Sequence, residues 1–227
     1  MHDLRTTTRR MLAALQLLPK KLRSEKKIVE YETRLEKLMK SNARTRDLDI
    51  VTDKIDKRNS SGEFDTLLER LKKLRKYSLQ PGTEHRRALE ADHRVPIRLK
   101  QLSGANLDER FQKLSKKYVS RIKKRLPVVL GSPDKKEQLH RLREDTRKLR
   151  YILDLGDGKP LRKQSKILRL WQDVLGEIHD SDIFIEYLDQ LKPFGEIGAL
   201  LKDETVVRNG KYEKFRTLAK AQSNLAV

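Results

Sequence analysis

Apolar residues recur at spacings of three and four along almost the whole chain, β-branched alternation is rare, and Pro and Gly cluster at intervals suited to helix ends. That periodicity predicts an all-α protein of about seven or eight helices. Pro19 closes the first. From Lys26 to near Lys57, the residues Ile28, Tyr31, Leu35, Leu38, Met39, Leu48 and Val51 mark one long amphipathic rod, broken by Asn59-Ser60-Ser61-Gly62. Phe64 to Tyr77 carries Leu67, Leu68, Leu71 and Leu74 and ends at Gln80-Pro81-Gly82. Glu84 to Leu102 contains Pro96, which predicts a break there and a helix resuming over 95–102.

Ser103-Gly104-Ala105-Asn106 reads as a spacer, after which Leu107 to Leu126 carries two stripes. Phe111, Leu114, Tyr118 and Ile122 form the apolar one; Arg110, Lys113, Lys117, Arg121 and Lys124 form the basic one, and Pro127 is expected to stop the helix. Ser132-Pro133-Asp134 has the signature of a cap and first turn for a helix running to Leu155. Gly156-Asp157-Gly158 precedes a second long rod, Leu161 to Leu191, whose apolar side includes Ile167, Leu168, Trp171, Val174, Leu175 and Ile178, with Pro193 beyond. A last helix from 194 to about 220 is expected to be interrupted near Asn209-Gly210, with a frayed tail after Lys220.

Laid over this plan is a doubled word. His2-Asp3-Leu4-Arg5-Thr6-Thr7-Thr8-Arg9-Arg10 returns 138 residues later as His140-Arg141-Leu142-Arg143-Glu144-Asp145-Thr146-Arg147-Lys148. An acidic echo follows each copy, Arg46-Asp47-Leu48-Asp49-Ile50 against His179-Asp180-Ser181-Asp182-Ile183, offset by 133. Such a long period excludes a solenoid and predicts a duplicated multi-helix half-domain. We expect one domain over 1–227, with a first half-repeat over 1–104 and a second over 105–220 that includes its leading and C-terminal helices. The halves should be related by a pseudo-twofold axis around a basic central groove or pore.

On a helical wheel Arg143, Arg147 and Arg150 fall within about 80° of His140, while Leu142, Leu149, Ile152 and Leu153 gather opposite. The first copy repeats this with His2, Arg5 and Arg9 against Leu4, Met11, Leu15 and Leu18; Leu12 stands where the second copy has Arg150. Guanidiniums stacked one turn apart repel, so a purely structural helix gains nothing by aligning them. An anion reverses the sign, and Arg grips phosphate oxygens bidentately while His adds a hydrogen bond.

Composition sharpens the identity of that anion. Lys plus Arg number 53 against 33 Asp plus Glu, a net charge of +20, and the pI is about 10.1. So basic a chain points to a polyanion: nucleic acid, polyphosphate or an anionic membrane. Cys is absent, which excludes disulfides and thiolate metal sites. No run reaches the length of a membrane span, and residues 11–18 lack a signal-peptide cleavage context, so a cytoplasmic location is expected.

Other chemistries find little support. Carboxylates two apart on a helix diverge by about 200°, so Asp47 with Asp49, or Asp180 with Asp182, cannot share an ion; one of each pair is expected to orient an Arg or cap a helix. Glu30-Tyr31-Glu32-Thr33-Arg34 nearly spells the acidic alternation of triphosphate-tunnel enzymes, but its surroundings have helical period. No phosphate-binding glycine loop or nucleotide fingerprint occurs. His2, His85, His93, His140 and His179 include no i, i+4 pair, so no zinc site is expected; no cofactor or catalytic residue is expected either.

The second half, through His140, Arg143, Arg147, Arg150, Tyr151 and then Leu175-Gly176-Glu177-Ile178-His179-Asp180, resembles the CHAD family, the conserved-histidine α-helical domain. The first half resembles it through His2, Arg5, Arg9, Arg10 and Arg46-Asp47-Leu48-Asp49, so the resemblance covers essentially the whole chain. It implies two similar helical bundles and a basic groove that binds inorganic polyphosphate without catalysis, with association to polyphosphate granules as the cellular counterpart. The expected binding set is His2, Arg5, Arg9, Arg10, Arg46, Lys117, Arg121, Lys124, His140, Arg143, Arg147, Lys148 and Arg150. Nucleic-acid binding is the rival that charge alone favours, although aromatics are only 5% of the chain, a poor supply of stacking platforms. Phosphotransfer through His2 or His140 is a third reading, without a carboxylate at matching spacing.

Overall fold

The computed structural model describes residues 2–91, 104–191 and 195–222. The expectations for Pro96 and 95–102, Ser103, Pro193, the His2 side chain and the tail after 222 lie outside the described residues. All regular structure among them is helical: α1 (His2–Leu17), α2 (Lys20–Arg23), α3 (Lys26–Ser41), α4 (Ala43–Asp56), α5 (Asp65–Ser78), α6 (Gln80–Ala91), α7 (Gly104–Gly131), α8 (Lys136–Leu153), α9 (Lys159–Gln190) and α10 (Gly195–Ala221). Contacts group them into two compact units, residues 1–8 with 20–99 and residues 9–19 with 100–227.

In the first unit the expected rod is two helices. Its apolar face is as read, with Ile28, Tyr31, Leu35 and Leu38 buried on α3 and Leu48, Val51 and Ile55 on α4. The break falls at Asn42, whose φ of −91° and ψ of 1° leave the helical ladder. Its Nδ2 donates to the Leu38 carbonyl at 2.8 Å, and Arg5 Nη1 donates to the Asn42 carbonyl at 2.9 Å. A short polar side chain that competes for backbone partners thus ends α3 where apolar periodicity alone shows no boundary. The break at 59–62 lies where expected: Asn59 Oδ1 accepts from the Phe64 N–H at 2.8 Å, and Gly62 takes φ of 81°.

Gln80-Pro81-Gly82, expected to terminate an element, instead forms the first turn of α6. Proline suits that position because the first N–H groups of a helix have no intrahelical acceptor. Gly82 is there for a close approach: a Cβ would clash with Asn42 Oδ1. Across the α4–α5 contact Arg75 Nε donates to Asp49 Oδ1, and Thr45 Oγ1 donates to the Ser78 carbonyl at 2.9 Å.

The second unit is built on one apolar cluster. Leu114, Tyr118 and Ile122 of α7, Leu142, Leu149 and Ile152 of α8, Leu168, Trp171, Leu175 and Ile178 of α9, and Tyr212 and Phe215 of α10 all contribute. Trp171 meets Phe215 edge-on, ring centroids 5.7 Å apart, a geometry worth about 1 kcal/mol beyond area burial. Tyr118 donates to Gln16 Oε1 at 3.0 Å and Arg110 Nη2 to the Gln16 carbonyl at 2.9 Å, fastening the end of α1.

Four expectations fail here for physical reasons. Pro127 does not stop α7, which runs on to Gly131. Proline removes one ladder bond, but Val129 beyond it is fully buried and its carbonyl accepts from Tyr212 Oη at 2.8 Å, so tertiary contacts carry the helix through. Gly104, Ala105 and Asn106 are not a spacer but the first turn of α7. Ser132 does not cap α8; its Oγ accepts from the Asp134 N–H in a turn, and α8 opens behind Lys135. Finally, α10 passes through Asn209-Gly210 unbroken, because both positions face outward while Arg208, Tyr212 and Phe215 on the other side are buried. The second rod matches expectation within two residues, opening behind Gly158 with Pro160 in its first turn. No described helix is long and apolar enough to cross a membrane.

The Gly82 contact sets a test of the α3–α6 approach. Gly82→Ala should cost about 1–3 kcal/mol in urea unfolding, as over-packing does. In Asn42→Ala/Gly82→Ala the combined loss should be smaller than the sum of the two single losses, since removing the amide relieves the clash.

Candidate anion-binding site

Helix α8 separates its two chemistries as the wheel requires. Leu139, Leu142, Leu149 and Ile152 enter the core, and His140, Arg143 and Arg147 occupy the opposite side. The Arg147 side chain is only 15% exposed, against 46% for His140. Burial, and then the charges of Arg9 and Arg143, push its guanidinium down to about 9, while Glu144 and Tyr151 act against that shift. The group still carries its charge at neutral pH. Arg9, from the part of α1 that belongs to this unit, has a buried Nε with no hydrogen-bond partner among the described residues.

Three guanidiniums so placed hold one another at an energetic cost, and one acid on the same helix, Glu144, lies beside Arg147 and His140. Glu144 Oε1 lies 3.5 Å from Arg147 Nη2 and 3.9 Å from His140 Nε2. Beside this face a cleft of about 460 Å³ opens between α8 and α9, lined by Lys136, His140 and Arg143 on one side and His179, Asp182 and Glu186 on the other. The His140 and His179 rings stand 5.0 Å apart, tilted by 52°. Guanidiniums that repel one another and are partly desolvated are the kind of group a multiply charged anion would stabilise. No group of three or more His, Asp or Glu among the described residues is arranged to hold a metal ion.

The other expected site residues sit differently. Arg150 is engaged locally: Nε donates to Gln172 Oε1 and Nη1 to Asp154 Oδ2, each at 2.8 Å, and the guanidinium lies 4.3 Å from the Tyr151 ring centre. That ties it to the packing of α8 on α9. Lys148 is half-buried and Arg10 exposed. On α7, Lys117, Arg121 and Lys124 are exposed, and Arg121 Nη1 lies 3.7 Å from Asp145 Oδ1, beside the stronger Arg125–Asp145 pair at 2.7 Å. Asp145 is about 160° around α8 from Arg147, so this stripe meets α8 away from the His140–Arg147 face. In the first unit Arg5 is held by the Asn42 carbonyl and Arg46 is exposed on α4.

The acidic echoes bear out the orienting role expected of one member of each pair. Asp49 holds Arg75, and Asp182 holds Arg208 through a 2.9 Å bond to Nε, with partners 26 positions apart in both cases. Arg75 and Arg208 are themselves 133 apart, the offset of the echoes, so the sequence carries this signal outside the basic words of the leading helices. His179 was visible as the first letter of the second echo, but only the fold shows it beside His140. Glu144 was missed because an acid inside a basic word reads as interruption.

A protein-family model described as the CHAD domain matches residues 1–189. No curated protein and no solved structure matches the chain. The match ends before α10, although α10 supplies Arg208, Tyr212 and Phe215 to the second unit.

A strained cation predicts a stabilising substitution. Arg147→Met keeps the aliphatic stem and removes the charge, and should raise the stability of the free protein by about 1–2 kcal/mol in low-salt urea unfolding. Added sulfate or a longer polyanion should narrow the gap, because it stabilises the parent more than the variant.

Proposed function

The chain belongs to the CHAD family, whose domain is associated with polyphosphate binding and is generally non-catalytic, and from that premise we propose that it binds inorganic polyphosphate, without turnover, through the guanidinium face of α8. The observation that supports the reading most is the single face of α8 that carries His140, Arg143 and Arg147, with the Arg147 side chain only 15% exposed. A linear polyphosphate presents a negative charge at every phosphate, so successive units can engage Arg9, Arg143, Arg147 and His140 while Arg10, Lys148, Lys117, Arg121 and Lys124 attract neighbouring stretches of the chain. Nothing in this mechanism needs a bond to be made or broken.

The first half, on this reading, carries the same word in sequence, with His2, Arg5 and Arg46 as its expected binding residues. The Asp–Arg pair repeated at the 133 offset supports common descent of the half-repeats 1–104 and 105–220. Long polyphosphate engaging both copies would bind with avidity, since the second contact is intramolecular once the first is made. Association with polyphosphate granules follows if that avidity holds in the cell.

Arg143→Ala/Arg147→Ala should weaken binding of long-chain polyphosphate by at least about tenfold in fluorescence anisotropy at low salt, since hydrogen bonds to charged groups are worth about 1.5–3 kcal/mol each. Lys20→Ala/Lys21→Ala, an equal loss of charge elsewhere, should change it far less. Affinity should fall steeply with salt in the parent and less steeply in the Arg double variant. An unchanged affinity in that variant would sink the site assignment, and duplex DNA displacing labelled polyphosphate at lower phosphate concentration would favour a nucleic-acid role.

A further inference from the structure

We infer that Glu144 is a built-in counter-anion of the α8 site, a residue that sets affinity because an entering phosphate must take its place. This rests on the polyphosphate reading and adds to it the identity of the group that competes with the ligand. One carboxylate oxygen, Oε1, faces both basic side chains, 3.5 Å from Arg147 Nη2 and 3.9 Å from His140 Nε2. Among the groups acting on Arg147, Glu144 is the first that favours its charge, against burial and against Arg9 and Arg143. It therefore occupies, electrostatically, the place of a bound anion.

Its surroundings fit exchange rather than permanent pairing. The Glu144 side chain is 38% exposed, and its two contacts are longer than the 2.7 Å Arg125–Asp145 and 2.9 Å Arg208–Asp182 pairs of the same unit. A carboxylate that loosely placed can swing into water when a more highly charged anion arrives. If it stayed, two anions would share one guanidinium at contact distance.

The doubled word supplies independent support. Shifting the second copy back by 138 puts Thr6 where Glu144 stands, between Arg5 and Arg9 as Glu144 lies between Arg143 and Arg147. The first copy has the same cations and no carboxylate at that position. The two copies thus differ at this position, the second carrying a carboxylate between its two arginines and the first a threonine.

Two variants test this, Glu144→Gln, which keeps the shape, and Glu144→Thr, which grafts the first copy's residue. Both should bind long-chain polyphosphate about five- to tenfold more tightly than the parent at low salt. The slope of log affinity against log salt should steepen by about one, because a solution anion now covers the guanidiniums and is released on binding. The free variants should melt lower than the parent, since Arg147 has lost its offset. Affinity and free stability therefore move in opposite directions, whereas a merely structural surface pair would lower both or neither. If the parent binds polyphosphate and Arg143→Ala/Arg147→Ala weakens it, but neither Glu144 variant binds more tightly and the slope is unchanged, the inference falls and the polyphosphate reading stands. If the parent does not bind polyphosphate at all, the reading itself falls.

Discussion

Helix α8 buries Leu142, Leu149 and Ile152 completely on one side while holding Arg143 and Arg147 half-dry on the other, and the second unit depends on both demands being met at once. Each buried aliphatic side chain contributes about 1.5–3 kcal/mol, enough collectively to offset the cost of crowding like charges. The opposition fixes the helix in rotation. A turn of α8 about its axis by one residue would carry a guanidinium into the apolar cluster around Trp171 and Phe215, where nothing pairs it. The core therefore determines where the charges point, and the charges gain a fixed direction that a solvated basic helix lacks. That is how a sequence pattern of period 3.6 becomes a preorganised anion site.

The same logic extends to the helices behind α8. Asp182 lines the cleft facing His140 and is fastened from the rear by Arg208, whose side chain is almost wholly buried at 4% exposure. Losing one partner of so dry a pair leaves an uncompensated charge, a penalty of about 3–5 kcal/mol, far above that of an exposed ion pair. The counterpart in the first unit, Asp49–Arg75, joins α4 to α5 but is wetter, with 40% of the Arg75 side chain exposed. The repeated element is thus a tie between an acidic helix and the one after it, and its strength differs between the halves. In the second half that tie runs to α10, which lies beyond the segment matched by the family model. Family resemblance and structural completeness are different things here: the cluster that anchors α8 and α9 needs Tyr212 and Phe215.

Helical character and the apolar faces were legible because they rest on periodicity, which burial enforces over many residues. Boundaries were legible only where one residue's local chemistry dominates. Gly156-Asp157-Gly158 and Asn59 to Gly62 announced themselves; Asn42 did not, since its effect depends on a carbonyl taken by Arg5 and on Gly82 approaching from α6. Pro127 and Asn209-Gly210 misled for the opposite reason, as their intrinsic preferences were overruled by Tyr212 and by the buried side of α10. Within the site, the His140, Arg143 and Arg147 face was readable from spacing alone. Arg150 satisfied the same spacing and lies on Tyr151, held by Gln172 and Asp154, because a wheel gives direction and omits neighbours. The basic stripe of α7 was equally readable, yet which side of α8 it meets is fixed by Asp145, a residue that carries no basic-motif signal.

The distribution of acids inside the basic words bears on function more than the net charge does. A face of bare guanidiniums attracts any anion in proportion to local concentration, and chloride at cellular levels would screen much of it. A face that carries one tethered carboxylate is already screened, so a monovalent ion gains little by entering, while a polyanion that brings several charges at once can displace the carboxylate and still gain. Intramolecular screening therefore trades raw affinity for discrimination by charge density. Tethering gives Glu144 an effective concentration that solution anions must exceed, and the cost of expelling it is met once per site however long the ligand is. On the proposed reading, longer chains would spread that cost over more contacts, and a helix turn of His140, Arg143, Glu144 and Arg147 would favour length without any device that measures it.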